Sequence, residues 1–145
     1  MNTIKWGIIG CGDVTEIKSG PALQKARGSE LVAVMRRNND LAADYAKRHK
    51  VPRFYDNAAR LINDPEVNAV YIATPPNFHA SYAHSVASAG KTVYVEKPMA
   101  RTYAECRMMI EICRESNVPL FVAYYRRALP YFLKIKKLVD EKKIG

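Results

Sequence analysis

The chain has 145 residues, 48% hydrophobic and 26% charged, the proportions of one soluble α/β unit able to bury a core. No apolar run approaches the roughly 20 residues that cross a bilayer, and the first strand pattern begins at once, so no signal peptide and a cytoplasmic location are expected. The 23 basic residues exceed the 14 acidic ones for a net +9, yet they are scattered, without a helix-turn-helix, zinc-finger or RRM signature, which makes nucleic acid an unlikely partner.

In chain order, strands are expected near 4–9, 30–35, 53–55, 68–73, 91–95 and 119–123. Helices are expected at roughly 14–27, 40–49, 56–62, 79–89, 103–116 and 130–142. Asp56 and Thr102 have the chemistry of N-caps, Asn77 can cap the helix after it, and Gly90 closes a helix just before the fifth strand. Val70 to Ile72, Val93 to Val95 and Leu120 to Val122 are continuous apolar runs, as strands covered on both faces should be. Strand and helix alternate throughout, which predicts a doubly wound parallel sheet in three α/β/α layers. The basic run from Lys134 to Lys143 places Ile135, Leu138 and Val139 at helical spacing and reads as an amphipathic surface helix. Cys11, Cys106 and Cys113 form no C-x-x-C pair, which argues against a disulfide framework or a zinc site; Cys106 and Cys113, seven apart on one helical stripe, read as core residues.

The first strand breaks at Gly10-Cys11-Gly12 and runs through Asp13 and Val14 into a helical pattern. Gly10 permits the sharp turn, Gly12 leaves room for a pyrophosphate, and the free N–H groups of the helix start bind the anion. The third glycine of G-x-G-x-x-G is replaced by Thr15, so the motif alone leaves an ordinary strand-to-helix turn open. The second strand then ends in Arg36-Arg37-Asn38-Asn39, about 20 positions past the fingerprint, where the adenosine ribose is read. An NAD site would carry a carboxylate there. Two guanidinium groups match a 2′-phosphate instead, so NADP(H) is expected over NAD(H), against the plainer reading of two solvated surface charges.

Three later strand ends bring polar groups to the same edge: Thr74-Pro75-Pro76-Asn77-Phe78-His79, Glu96-Lys97-Pro98-Met99-Ala100, and Tyr124-Tyr125-Arg126-Arg127-Ala128-Leu129-Pro130. In open α/β sheets ligands bind at the carboxyl ends of the strands. For Glu96 and Lys97 a structural ion pair is the plain alternative, and for His79 helix capping or surface packing is expected over catalysis.

Together, GIIGCGDV at 7–14, ATPPNFHA at 73–80, AGKTVYVEKPMA at 89–100 and YYRRALP at 124–130 resemble the Gfo/Idh/MocA oxidoreductases, named after glucose–fructose oxidoreductase and inositol dehydrogenase. The resemblance spans the whole chain, and the EKP tripeptide is its most specific part. It implies an NAD(P)-dependent dehydrogenase that moves hydride between nicotinamide and an oxygen-bearing carbon of a sugar or cyclitol. It gives Lys97 the catalytic role of orienting the substrate hydroxyl and assisting its proton transfer, beside Glu96. It gives Thr74, Pro75, Pro76, Asn77 and His79 to the loop that lines the cofactor. Where the family often has an asparagine followed by Arg-Phe, this chain has Tyr125 to Ala128, leaving Arg126 or Arg127 to face the cofactor or an acidic substrate.

The resemblance also implies a second α+β domain with a catalytic histidine in a D-x-x-x-H arrangement and a sheet for homo-oligomerisation. Residues 1–123 are expected to be the dinucleotide-binding domain, and 124–145 the crossover segment and helix leading to that further domain. The expectation is a fragment that binds nucleotide without turnover; a stand-alone non-catalytic NADP(H)-binding regulatory module is the alternative.

Overall fold

A computed structural model describes residues 3–144. Six parallel strands form one sheet in the order β3-β2-β1-β4-β5-β6: β1 is Ile4–Ile9, β2 Ser29–Met35, β3 Arg53–Tyr55, β4 Ala69–Ile72, β5 Thr92–Val95 and β6 Leu120–Val122. The order reverses between β1 and β4, and that reversal opens a crevice at the carboxyl edge. This is the Rossmann-type doubly wound sheet.

Helices α1 (Gly20–Lys25), α2 (Asn39–His49), α3 (Ala58–Ile62), α4 (His79–Ser88), α5 (Tyr103–Glu115) and α6 (Pro130–Asp140) complete the alternation. The pleat sends neighbouring residues to opposite faces. Ile9, Val70, Ile72, Val93 and Val95 join one core with Leu61, Val86 and Met109 of α3, α4 and α5. Ile8, Leu31, Val34 and Tyr71 join the other with Tyr45 and Ala46 of α2. Cys113 is buried and Cys106 half-buried against the first core, as their shared stripe predicts. Among the described residues no helix is long and apolar enough to cross a membrane.

The differences from the expected elements have local causes. The helix foreseen over 14–27 is a π-helical turn at Thr15–Ser19 followed by the shorter α1. Gly20 donates its N–H to the carbonyl of Thr15, five residues back, and Pro21 has no N–H with which to restore the usual pattern. Helix α3 is capped by Asn57, whose side chain accepts from Ala59 N–H at 2.8 Å, and not by Asp56. Asn77 caps nothing: it sits inside a 3₁₀ turn, Pro76–Phe78, and α4 begins without a side-chain cap. Thr102 does cap α5, and Gly90 takes a positive φ of 70° just past α4. Strand β6 is an edge strand and not one covered on both faces, with Phe121 55% exposed. Helix α6 stops at Asp140 and buries none of its residues.

An ion-paired cluster fastens the phosphate-side turn to α2. Arg48 donates to both oxygens of Glu16 at 2.7 Å, and His49 Nε2 lies 2.6 Å from Glu16 Oε2. These contacts, led by Arg48, pull the Glu16 carboxyl down to about 2 against the opposing effect of burial. A depressed carboxylate stabilises the fold above its unfolded value and loses that contribution as pH falls through its folded one. With both partners partly solvated, the expected cost of Glu16→Gln is about 1 kcal/mol. Urea midpoints of the two proteins should differ by a constant amount above about pH 4.5 and converge as pH approaches 2.

Candidate cofactor site

Two cavities open at the carboxyl edge and share no lining residue. The first, about 250 Å³, lies over the glycine turn. Gly10 has φ +91°, and a Cβ there would come within 2.9 Å of Thr74 Cγ2 and 3.1 Å of the Ala73 carbonyl oxygen, so only glycine fits. At Gly12 a Cβ would meet nothing within 4 Å, which is the open approach a pyrophosphate needs. Thr15 replaces the third glycine by an active device: its side chain is buried, and Oγ1 donates to the Gly12 carbonyl at 2.7 Å, alongside the N–H groups of Thr15 and Glu16. The turn is thereby closed, and the first-turn amides from Gly12 to Val14 precede any intrahelical acceptor. Asp13 and Val14 stand exposed at this helix start. Cys11 is fully buried, and burial pushes its thiol up to about 11, so it serves as neutral packing under the turn.

The walls of this cavity come from two further strand ends. Arg36 donates to the Cys11 carbonyl at 3.4 Å, and the Arg37 guanidinium lies 5.7 Å from the centroid of the Phe78 ring. Neither pairs with a carboxylate among the described residues. Thr74 and Pro75 form the opposite wall with Phe78 and Tyr82. Thr74 Oγ1 is buried with no hydrogen-bond partner among the described residues. Such an orphan is rare in a finished interior and fits a site awaiting a polar ligand. Pro76 and Asn77 line neither cavity.

His79 is neither a cap nor a surface residue. It is fully buried, with Nε2 2.7 Å from the Thr74 carbonyl oxygen and Nδ1 3.0 Å from that of Pro98. Its place is behind the wall, tying the Thr74 loop to the turn that carries Lys97.

The second cavity, about 470 Å³, contains Lys97 and Glu96 together with Val14, Lys18, Tyr71 and Tyr125. The ion pair between Glu96 and Lys97, the plain alternative read from the sequence, does not form. Glu96 Oε1 accepts from the Tyr71 phenol at 2.5 Å, and Oε2 accepts from the backbone N–H of Lys97 at 3.0 Å. Burial first, and the Glu96 carboxylate second, push the Tyr71 phenol up, so it remains a donor. Ser19 Oγ lies 2.9 Å from the same phenol, linking the phosphate-side turn to the Lys97 turn. The carboxylate therefore holds the backbone and leaves the ammonium unpaired. Arg126 is exposed in a 3₁₀ turn, Tyr125–Ala128, and lines neither cavity. Sequence reasoning missed Tyr71, Lys18, Phe78 and Tyr82; a tyrosine inside the β4 apolar run was the one available signal.

A parallel sheet whose order reverses beside a glycine turn, with cationic side chains at the next strand end, defines a dinucleotide-binding Rossmann domain. Residues 4–124 match the model of the oxidoreductase family with an NAD-binding Rossmann fold, and the chain belongs to that Gfo/Idh/MocA family. Over 142 residues it is 53% identical to oxidoreductase P35 of Formosa agariphila, covering 98% of this chain and 44% of that protein. It is 31% identical to trans-1,2-dihydrobenzene-1,2-diol dehydrogenase of Danio rerio, covering 98% of the chain and 43% of that enzyme. Among solved structures, KijD10, a 3-ketoreductase from Actinomadura kijaniata in complex with TDP-benzene and NADP, superposes with a TM-score of 0.90 at 27% identity, over 99% of this chain and 45% of that one. The scyllo-inositol dehydrogenase from Lactobacillus casei, with bound NAD(H) and scyllo-inositol, gives 0.89 at 26%, over 99% and 43%. The chain thus spans less than half the length of the relatives it matches.

Proposed function

We propose that this chain is the cofactor-binding part of an NADP(H)-preferring dehydrogenase that transfers hydride to or from a sugar- or cyclitol-like alcohol or ketone. The observation that carries the cofactor preference is the pair Arg36 and Arg37, lining the cavity over the glycine turn with no carboxylate partner among the described residues. The open space at Gly12 and the orphaned Thr74 Oγ1 fit the dinucleotide itself. Gly10 to Val14 would hold the pyrophosphate, Thr74 and Pro75 its flank, and Arg36 and Arg37 the 2′-phosphate.

The nicotinamide supplies or accepts the hydride when bound. Lys97 donates a hydrogen bond to the oxygen on the reacting carbon, stabilises charge developing there and assists its proton transfer. Glu96 keeps the Lys97 backbone in place through its own hydrogen bond. The activity belongs to a longer chain: a further domain would complete the substrate pocket, contribute the histidine and mediate homo-oligomerisation, and the 145 residues alone would bind nucleotide without turnover. A cytoplasmic location goes with this reading.

Calorimetric titration with NADPH and with NADH at one fixed salt concentration tests it. NADPH is expected to bind at least about tenfold more tightly, the effect of one additional charge-assisted contact. Equal affinities would remove the NADP(H) preference, and absence of binding by either nucleotide would remove the cofactor role for this chain.

A further inference from the structure

The cavity that contains Lys97 has a charge balance of its own. Its charged lining is Lys18, Glu96 and Lys97, alongside the phenols of Tyr71, Tyr94 and Tyr125. The one carboxylate is already committed to the Tyr71 phenol and to the Lys97 N–H. Neither lysine has an ion-pair partner among the described residues. Arg126 foremost, with Lys18 and Lys97 adding, holds the Tyr125 phenol below its ordinary value, so a positive field converges on the rim.

Of the residues proposed above for the phosphates, only Val14 borders this cavity. The glycine turn, Arg36 and Arg37 line the other cavity, and no residue is common to both. Closing the Lys97 cavity with a cofactor and a substrate would strip water from two ammonium groups, a large cost unless an anion enters with them. We infer that the cavity receives its substrate by an anionic group, a carboxylate or phosphate on a sugar- or cyclitol-like molecule, bound at Lys18 and Tyr125 while Lys97 faces the reacting carbon. Acidic sugars are then the substrate class, and neutral ones are discriminated against because they leave Lys18 without a partner. The inference rests on the proposed role of Lys97.

The test is an NMR titration of the chain, saturated with NADP⁺, against D-glucuronate, D-glucose 6-phosphate and D-glucose in turn, following Tyr125 ring and lysine side-chain signals. One or both charged sugars should bind at least about tenfold more tightly than glucose, and their ratio separates a carboxylate from a phosphate requirement. Lys18→Gln should abolish that advantage while leaving glucose and NADP⁺ affinities unchanged, and Lys18→Arg should retain it. Equal binding of all three sugars, no response to any of them, or an equal loss of NADP⁺ affinity in Lys18→Gln would overturn the inference. If NADP⁺ itself fails to bind, the cofactor reading falls, and the same sugar series on the nucleotide-free chain still decides whether Lys18 selects anions.

Discussion

Arg36→Asp is expected to lower the affinity for NADPH by about a hundredfold while leaving that for NADH unchanged or slightly improved. The guanidinium reaches over the Cys11 carbonyl at the end of β2, on the wall facing the glycine turn. A charge-assisted hydrogen bond to phosphate contributes about 1.5–3 kcal/mol, and a carboxylate in its place adds repulsion. The same carboxylate can accept from the ribose hydroxyls of NADH, which carry no phosphate. Arg37→Ala should cost less, because Arg37 also rests on Phe78 and keeps part of its energy in that contact. Calorimetry on both variants reads the result; an Arg36→Asp protein that still prefers NADPH would show that the phosphate is bound elsewhere.

The largest loss of stability is expected at Gly20. A Cβ there would overlap both Tyr45 Oη and the Thr15 carbonyl oxygen, the two atoms that hydrogen-bond each other at 2.8 Å. Neither partner can give way cheaply, since Tyr45 is fully buried and Thr15 O also receives the Gly20 N–H. Overpacking together with a broken buried hydrogen bond should cost about 3 kcal/mol in Gly20→Ala, seen as a drop in the urea midpoint. Gly12→Ala offers the contrast. Its added methyl meets nothing within 4 Å, so stability should hold while nucleotide affinity falls, because the methyl occupies the approach to the turn. If Gly20→Ala unfolds at the wild-type midpoint, the π-helical turn is not the packed junction described.

The central strands were legible because buried parallel strands are written as short apolar runs, and each of the six expected strands overlaps an observed one closely. What such runs cannot reveal is position within the sheet. Leu120-Phe121-Val122 reads like a central strand, yet it is the edge, and half of Phe121 is open to solvent. The π-helical turn after the glycine turn is further fastened by Tyr45, thirty residues on, whose hydroxyl donates to the Thr15 carbonyl, a partner no local reading supplies. Asp56 and Asn57 are equally good caps by type; which one caps α3 is settled by where the chain turns out of β3. In the site, the glycine turn, the arginine pair and the Thr74 and Lys97 loops carry local signals. The roles of His79 and Glu96 do not, since both depend on partners brought in from other strand ends.

The division of the carboxyl edge into two cavities, one lined from the ends of β1, β2 and β4 and the other from the segment after β1 and the ends of β4, β5 and β6, has an evolutionary consequence. A dinucleotide laid across the β1/β4 crevice would present its adenosine end to one cavity and its reacting end to the other, which have no lining residue in common. On the proposed reading, substitutions at the tip of β2 would exchange one coenzyme for the other, tying the parent enzyme to a different cellular pool of reducing power, while the reactive end is inherited intact. On the same reading, changes around Lys18 would widen or narrow the range of substrates without altering which pool is drawn upon.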